Sequence, residues 1–172
     1  MNKVNTELEN GIEVPLTDID RLNAYVKKKV STYQKKWDIN GSLNLNEKIR
    51  WFISWNWAAL LFSSLWFAYR KMYKIALIIA IGTLLTSSLS DYLLGNASWI
   101  YTIAEMIGIG IIANYLYLRK ANKDILKIKE KGLKTQDELN ELGRAGGTSV
   151  GAVWLLIGLN IILAIAMYLI FG

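Results

Sequence analysis

Glu105 is the only ionisable side chain well inside one of the long apolar stretches of this 172-residue sequence. It follows Ser98 by seven positions, which corresponds to roughly 10 Å along a helix. A carboxylate in apolar surroundings costs several kcal/mol unless it is protonated, paired or hydrogen-bonded. Glu105 therefore indicates either a proton or cation site, or a protonated or hydrogen-bonded structural carboxyl.

Hydroxyl and amide side chains on the other apolar stretches are the candidate partners of this carboxyl. The stretch before it has a hydroxyl-bearing helix face, formed by Thr83, Thr86, Ser87 and Ser90. If the two stretches pack antiparallel about the short turn at 95–98, Thr83 and Ser87 lie at the depth of Glu105. Together with Asn160, near the middle of the last apolar stretch, they form the predicted intramembrane polar site. Asn160 and Asn114 are expected to make interhelical hydrogen bonds.

The composition excludes several kinds of catalytic and metal-binding chemistry. The sequence contains no histidine and no cysteine, so it has no disulfide, thiolate nucleophile, imidazole base or Cys/His zinc site. Gly108 and Gly110 belong to no phosphate-cradling P-loop motif and are expected to form a close-packing surface. We therefore expect neither an enzyme nor a cofactor or metal site.

Three apolar stretches have the length of about 20 residues that a helix needs to cross a bilayer. They are residues 75–94, 99–118 and 150–171. The turn between the first two carries no basic residue, whereas Lys-rich sequence follows the second. Because Lys and Arg gather on the cytoplasmic side of membranes, we expect the turn to face outward and residues 119–149 to form a cytoplasmic helical loop. This pattern predicts an all-α membrane protein with three transmembrane helices.

A fourth apolar stretch, residues 51–69, contains four of the seven tryptophans and has positive charge at both ends. Both ends therefore favour the cytoplasmic side, and indoles favour the headgroup region over the hydrocarbon centre. We predict a Trp-rich re-entrant or interfacial helix, with a fourth transmembrane helix as the alternative. The candidate headgroup anchors are Arg70, Lys71, Lys74, Trp55, Trp57 and Trp66.

The polar start of the sequence is assigned to the cytoplasm, because it contains no signal-peptide pattern. Residues 1–16 show no periodicity and are expected to be a flexible N-terminus. Residues 17–48 form a cytoplasmic amphipathic helical segment, in which Thr17 is the expected N-cap of one helix with an apolar stripe up to Trp37. Residues 49–172 then make up the membrane domain.

The cytoplasmic loop contains signals for a short helix and a joint. Thr135 and Glu138 have the spacing of a capping box, which predicts a helix that stops at Gly143. Residues 146–149 are expected to be a hinge, with Ser149 as the N-cap of the last helix. The alternative for this joint is an anion site at the helix N-terminus.

Residues 54–73, SWNWAALLFSSLWFAYRKMY, resemble the signature of the bacterial membrane family catalogued as domain of unknown function 2628. Residues 33–37 (YQKKW), 113–117 (ANYLY) and 146–149 (GGTS) are similar to its other elements, so the resemblance covers about residues 20–150. Ser63-Ser64 departs from the family pattern, in which a Gly-Pro or similar pair is expected. The family has no established activity, so the resemblance implies a membrane location and no catalytic residue.

These features predict a small multi-pass protein of the bacterial inner membrane with a cytoplasmic N-terminus. The basic residues cluster beside apolar stretches, which makes anionic lipid headgroups nearer partners than nucleic acid. We expect a non-enzymatic accessory or interaction protein that contacts lipid headgroups, a membrane protein partner or a second copy of itself. The alternative is a small oligomeric transporter or channel for protons or cations that uses Glu105.

Overall fold

Helices make up the regular secondary structure of the described chain. The computed structural model describes residues 15–39, 44, 45, 47 and 49–171, and these form seven α-helices and no β-strand. In chain order the helices are α1 Asp18–Val26, α2 Val30–Lys36, α3 Trp57–Tyr69, α4 Tyr73–Leu94, α5 Ser98–Lys129, α6 Thr135–Ala145 and α7 Val150–Phe171. A 3-10 turn, Gly95–Ala97, joins α4 to α5. The all-α prediction is confirmed, and most of the predicted flexible N-terminus, residues 1–14, lies outside the described residues.

The chain divides into two compact units. The polar unit is drawn from the segments Met1–Phe52 and Tyr115–Gly147 and contains α1, α2, the second half of α5, and α6. The apolar unit is drawn from Ile53–Asn114 and Thr148–Gly172 and contains α3, α4, the first half of α5, and α7. Each unit therefore joins two segments that are distant in the sequence.

The start of α1 agrees with its capping signal. The Thr17 hydroxyl accepts a hydrogen bond from the Asp20 N–H at 3.1 Å, and the Asp20 carboxylate accepts one from the Thr17 N–H at 3.1 Å. This reciprocal cap satisfies N–H groups that the start of a helix leaves without intrahelical partners. The predicted N-cap at Thr17 is confirmed.

The single helix expected to run on to Trp37 is wrong, because α1 and α2 are separated by a break. In a continuous helix the Tyr25 carbonyl would accept from the Lys29 N–H. It accepts instead from the Gly147 N–H at 2.7 Å, and Lys27 and Lys29 have positive φ angles of 56° and 59°. A tertiary hydrogen bond has thus replaced an intrahelical one.

The core of the polar unit forms where α1 packs on α6 and where the aromatic rings of α2 meet α5. Its large fully buried side chains are Tyr25, Tyr117, Leu22, Leu45, Ile125, Leu142 and Val26. The rings of Tyr33, Trp37 and Tyr117 pack with centroid separations of 5.0, 5.1 and 5.5 Å. Aromatic pairs at such separations stabilise a fold beyond the area they bury. The predicted apolar stripe therefore does reach Trp37, although two helices carry it.

α3 begins at Trp57, later than the predicted stretch 51–69, and is broken at Ser63. The Asn56 side chain caps it by accepting the Ala59 N–H at 3.1 Å. Ser63 has φ 42° and ψ −122°, a backbone conformation that strongly favours glycine. The break falls at the Ser63-Ser64 pair, where the resemblance described above would place Gly-Pro.

α4 and α5 contain the predicted stretches 75–94 and 99–118, and α5 continues as one helix to Lys129. The Thr83 hydroxyl donates to the Glu105 carboxylate at 2.9 Å, across the Gly95–Ala97 turn. Within the apolar unit, α4 and the first half of α5 therefore run antiparallel, as the short turn requires.

α6 begins at Thr135, but the predicted capping box is wrong. Lys134 occupies the N-cap position, and no side chain caps the helix. The Glu138 carboxylate, expected to complete the box, instead accepts hydrogen bonds from the Arg21 guanidinium at 2.6 and 3.2 Å. The predicted stop at Gly143 is also wrong, since the helix continues for two more residues.

α7 matches the predicted stretch 150–171. The Ser149 hydroxyl accepts the Ala152 N–H at 3.3 Å, which confirms Ser149 as a cap. Within the apolar unit, α3 packs against both α4 and α7.

Two helical stretches of the described chain, Tyr73–Lys129 and Thr135–Leu163, are long and apolar enough to cross a membrane by length and composition. Only 11% and 17% of the residues in their most apolar windows are buried. A core helix of a water-soluble protein would be mostly buried. Most residues of these two apolar segments are instead not buried, which distinguishes them from such a core helix.

Candidate functional site

Thr83 and Glu105 are brought together in the apolar unit. α4 and α5 position them on facing sides, and the Thr83 hydroxyl lies 2.9 Å from a Glu105 carboxylate oxygen. Both side chains are partly buried. A hydroxyl that donates to a carboxyl oxygen reduces the cost of removing that group from water. This contact is the one that the depth argument from the sequence predicts.

The other two residues of the predicted polar site do not join this pair. The Ser87 hydroxyl donates to the Leu84 carbonyl at 3.0 Å, and the Asn160 amide donates to the Leu156 carbonyl at 2.8 Å. Serine hydroxyls in apolar helices commonly bond to their own helix in this way. The Asn160 amide thus donates within its own helix, and the interhelical bond expected of Asn160 stays a prediction.

Asn56 and Asn114 form a second, fully buried polar contact in the apolar unit. The Asn56 amide donates to the Asn114 side-chain oxygen at 2.8 Å, and the Asn56 N–H donates to the Gly110 carbonyl at 2.9 Å. The Asn114 amide lies 3.0 Å from the Ser54 hydroxyl and 3.2 Å from the Trp55 carbonyl, both acceptors. Asn114 is 0% exposed and Asn56 is 4% exposed. These bonds join the start of α3 to α5.

Sequence reasoning predicted an interhelical bond for Asn114 but missed its partner. Asn56 precedes a long apolar stretch, and Asn at such a position is a strong N-cap signal. That signal predicts the bond from Ala59, not the additional bonds to α5. The close approach also explains Gly110, since an added Cβ there would lie 3.0 Å from the Leu60 Cβ.

The structure corrects two of the six predicted headgroup anchors. Trp66 is 6% exposed and packs on Phe67 with a centroid separation of 5.0 Å. Arg70 is 3% exposed, and its Cζ lies 5.9 Å from the centroid of the Tyr69 ring. A side chain enclosed by protein does not reach a lipid headgroup, so these two anchor predictions are wrong.

The remaining four anchor residues are at least partly accessible. Trp57 is 65% exposed and Trp55 37% exposed, and their rings pack edge-on with a centroid separation of 5.2 Å. Lys74 is exposed, and Lys71 is partly buried with a positive φ of 57°. Their role as anchors stays a prediction.

A triangle of polar side chains links α1 to α5 in the polar unit. The Tyr25 hydroxyl donates to the Asp124 carboxylate at 2.6 Å, and the Lys120 ammonium donates to both, at 2.5 and 2.6 Å. Burial first, and the bond to Asp124 second, raise the pKa of the Tyr25 hydroxyl above its ordinary value. Tyr25 is thus held in its neutral form, so it is no candidate for a general base.

A second charged contact in the polar unit joins α1 to α6. The Arg21 guanidinium binds both oxygens of Glu138, which is 6% exposed, and also donates to the Leu16 carbonyl. Asp18 accepts from Lys129 at 3.2 Å and from the Leu45 N–H at 3.0 Å. Two-point arginine–carboxylate pairs fix geometry as well as charge. These contacts secure α1 and offer no open carboxylate to a ligand.

Gly146 permits a very close backbone approach in the polar unit. A Cβ at this position would lie 2.0 Å from the Tyr25 carbonyl oxygen and 2.7 Å from its Cγ. The neighbouring Gly147 has φ 75° and donates to the same carbonyl. The two glycines therefore allow α6 to pack closely against α1. This packing explains the glycine pair without the alternative of an anion site.

The described residues contain no group of three or more Asp and Glu side chains that could hold a metal ion. The Asp124 carboxylate is paired with Lys120 and the Glu138 carboxylate with Arg21. Glu105 accepts a hydrogen bond from the Thr83 hydroxyl. These paired polar side chains are therefore suited to holding helices together.

Taken together, the geometry defines an all-helical protein that combines a polar helical unit with exposed apolar helices. The chain belongs to the family described as "Protein of unknown function (DUF2628)", whose family model matches residues 17–123, more than half of the sequence. The predicted family is thereby confirmed, although the match ends before the glycine pair at 146 and 147. No curated protein and no solved structure matches this chain.

Proposed function

We propose that this chain is a multi-pass integral protein of the bacterial inner membrane, without catalytic activity of its own, that acts as an accessory protein to lipid or to a membrane partner. The exposure of its apolar helices is the observation that carries this proposal. Large apolar side chains are more than 60% exposed on each of α3, α4, α5 and α7, among them Leu61, Ile78, Trp99 and Leu155. Such surface is stable in lipid and prone to aggregate in water.

The position of α3 supports three crossings over four. The Thr83–Glu105 bond sets the register of the antiparallel pair α4 and α5, so Gly110 of α5 lies opposite about residue 78 of α4. Asn56, at the start of α3, bonds to Gly110 and therefore lies at that level. The end of α3 is only a short turn from the first residue of α4, Tyr73.

Both ends of α3 thus lie near the same end of α4, separated along its axis by about 8 Å. A straight helix of 13 residues would span about 20 Å. The break at Ser63 accommodates this difference. These distances support a re-entrant or interfacial α3 that leaves the membrane on the side on which it entered, with α4, α5 and α7 as the crossings.

Charge then orients the protein. The last two turns of α5 and the loop after it carry Lys123, Lys127, Lys131 and Lys134, all exposed, whereas the 3-10 turn before α5 carries no basic residue. Cytoplasmic flanks of membrane helices attract Lys and Arg. We therefore place the polar unit in the cytoplasm and the turn outside.

Membrane extraction and cysteine labelling test this proposal. The full chain should remain in the membrane pellet after alkaline carbonate washing. The sequence contains no cysteine, so single cysteines can be introduced at the exposed positions Lys28, Asn96 and Lys131. An impermeant thiol reagent should label only the Asn96→Cys variant in intact cells. Release by carbonate, or labelling at 28 or 131 from outside, would contradict the proposal.

The transporter alternative depends on Glu105. Its described polar partner is Thr83, and the neighbouring hydroxyls of Thr86 and Ser87 bond to carbonyls of their own helix. This favours a structural carboxyl over a relay of proton-carrying groups. The variant Glu105→Gln should therefore fold normally and leave proton flux in proteoliposomes at the level of empty vesicles, as in the wild type. A proton flux that the wild type has and the folded variant lacks would replace our proposal.

A further inference from the structure

We propose that Arg50, Trp51, Tyr115 and Arg119 form a binding site for the headgroup of an anionic phospholipid. All four residues lie in the polar unit. The inference rests on the proposed membrane location and adds to it a defined site and ligand class.

Aromatic rings build the floor of this site. The Trp51 ring packs edge-on against the Tyr115 ring with a centroid separation of 4.6 Å, and Phe52 packs on the same ring at 5.8 Å. Trp51 is 57% exposed although it makes this contact. Indole and phenol rings favour the headgroup region, where one edge meets lipid and the other meets water.

Two guanidinium groups supply the charge. Arg119 follows Tyr115 by one helical turn on α5, and its Cζ lies 5.6 Å from the centroid of the Tyr115 ring. Arg50 is adjacent to Trp51 in the chain, and both arginines are exposed. Within the described part of the chain, neither has a carboxylate within ion-pair distance, in contrast to Arg21, Lys120 and Lys129. Their charge is therefore available to an external anion.

The position along α5 selects a lipid over a soluble anion. Arg119 is the first charged residue after the apolar run 106–118. If α5 crosses the membrane, this residue emerges at the depth of the phosphate groups. Guanidinium groups bind phosphate oxygens by paired, charge-assisted hydrogen bonds. A zwitterionic headgroup would bring an ammonium group towards two arginines, so an anionic headgroup such as phosphatidylglycerol fits better.

The site differs from the anchors expected from the sequence. Arg70 and Trp66 carry the same residue types next to an apolar helix, but both are buried. The set Arg50, Trp51, Tyr115 and Arg119 is assembled from two segments more than 60 residues apart. Sequence spacing alone gives no signal for such a pairing.

Native mass spectrometry of the full chain, released from micelles containing equal amounts of phosphatidylglycerol and phosphatidylcholine, tests the site. The wild type should retain phosphatidylglycerol preferentially. In the double variant Arg50→Gln/Arg119→Gln this preference should decrease about twenty-fivefold, the product of roughly fivefold for each guanidinium. The control is Lys127→Gln, which removes one exposed charge about 12 Å further along α5 and should change the preference less than about twofold.

Several results would overturn the proposal. A loss of about fivefold in Lys127→Gln, equal to that expected for each arginine, would mean that the attraction comes from net charge and not from a site. Displacement of the lipid by inorganic phosphate at equal concentration would mean that the ligand is a soluble anion. A wild type that stays in carbonate-washed membranes but shows no preference would remove this inference and leave the proposed function intact. Release from washed membranes would instead remove the proposed function. Unchanged circular dichroism of the double variant controls for folding.

Discussion

The polar unit and the apolar unit each join segments that are distant in the sequence, but the side chains that join them differ in chemistry. In the polar unit, charged side chains connect positions 95 to 117 residues apart, as in Arg21 to Glu138 and Lys120 to Tyr25. In the apolar unit, the amides of Asn56 and Asn114 connect positions 58 residues apart. A charge can be buried where an opposite charge compensates it, whereas a buried neutral amide needs only a hydrogen-bond partner. In both contacts the buried polar groups are thus paired, by charge in one case and by amide hydrogen bonds in the other.

Gly146→Ala should have the largest effect, because the polar unit depends on the very close backbone contact at this position. The new Cβ would lie 2.0 Å from the Tyr25 carbonyl oxygen, so α1 or α6 must move apart. We expect a loss of about 3 kcal/mol or more in the free energy of unfolding of the polar unit. Pulse proteolysis with trypsin in detergent micelles measures it, since this unit is rich in lysine.

Gly132→Ala is the matched control in the same unit. Gly132 has φ 60° but open space around its Cβ position, so only the backbone penalty of about 1 kcal/mol applies. Equal losses in the two variants would show that the approach of α6 to Tyr25 is not tight, and the comparison between the units would lose its strongest element.

Arg21→Gln should cost about 3 kcal/mol, because it leaves the buried Glu138 carboxylate without its partner. Glu138→Gln should cost less, because Arg21 keeps the Asp18 carboxylate at 3.6 Å. The double variant should cost less than the sum of the two, which a double-mutant cycle measures by chemical unfolding. The exposed pair Lys131–Glu141 serves as the control. Its removal should cost less than about 1 kcal/mol. Additive losses at Arg21 and Glu138 would mean that charge pairing does not hold the polar unit together.

Asn114→Ala should destabilise the apolar unit by about 2 kcal/mol, because it leaves the Asn56 amide without its acceptor in a buried place. Asn160→Ala removes the same side chain from another apolar helix, where its described hydrogen bond is to the Leu156 carbonyl of its own helix. That variant should change stability by less than about 0.5 kcal/mol. Thermal unfolding in micelles, followed by circular dichroism, compares them. Equal effects would contradict the special role of the Asn56–Asn114 contact.

Tyr25 should make the polar unit sensitive to alkaline pH. Its pKa is raised in the folded state, so its contribution to stability is complete below the unfolded pKa near 10 and is lost as the pH rises above that value. Between pH 9 and 11 the wild type should lose about 1.4 kcal/mol more than Tyr25→Phe. Tyr92→Phe, at a position that is 86% exposed, should lose as much as the wild type. Parallel pH profiles for all three proteins would exclude this role for Tyr25.

Ser63→Gly should stabilise the apolar unit, by about 1 kcal/mol, because glycine adopts the φ of Ser63 without strain. Its neighbour Ser64 has a helical conformation, so Ser64→Gly should destabilise by a similar amount. Opposite shifts of the melting temperature for two adjacent serines would locate the break. Shifts of the same sign would indicate that α3 is continuous, and would favour the alternative in which it is a fourth transmembrane helix.

Local signals in the sequence predicted the elements well. Apolar length located α4, α5 and α7, and the short turn at 95–98 was enough to pair Thr83 with Glu105. The Thr17 cap was also predicted, because a capping box uses residues only three positions apart. Each of these features depends on neighbours in the chain.

Features that depend on distant partners could not be predicted in this way. The break between α1 and α2 results from a bond between Tyr25 and Gly147, and the failed capping box results from Arg21 binding Glu138. Trp66 and Arg70 have the composition of interfacial anchors, yet packing in the apolar unit buries them. Residue type and spacing carry no information about which distant segment will cover a side chain.

The contact between Asn56 and Asn114 has a consequence for the timing of synthesis. The two residues are 58 positions apart, which at about 5–20 residues per second is a delay of about 3–12 seconds between their appearance on the ribosome. During that interval the start of α3 exists without the acceptors that α5 will provide. In the proposed topology, water is the available partner during this interval, and the start of α3 stays at the hydrated membrane surface until α5 is made. A nascent chain released after α4 would therefore leave the start of α3 undocked, which agrees with the re-entrant or interfacial position proposed for α3.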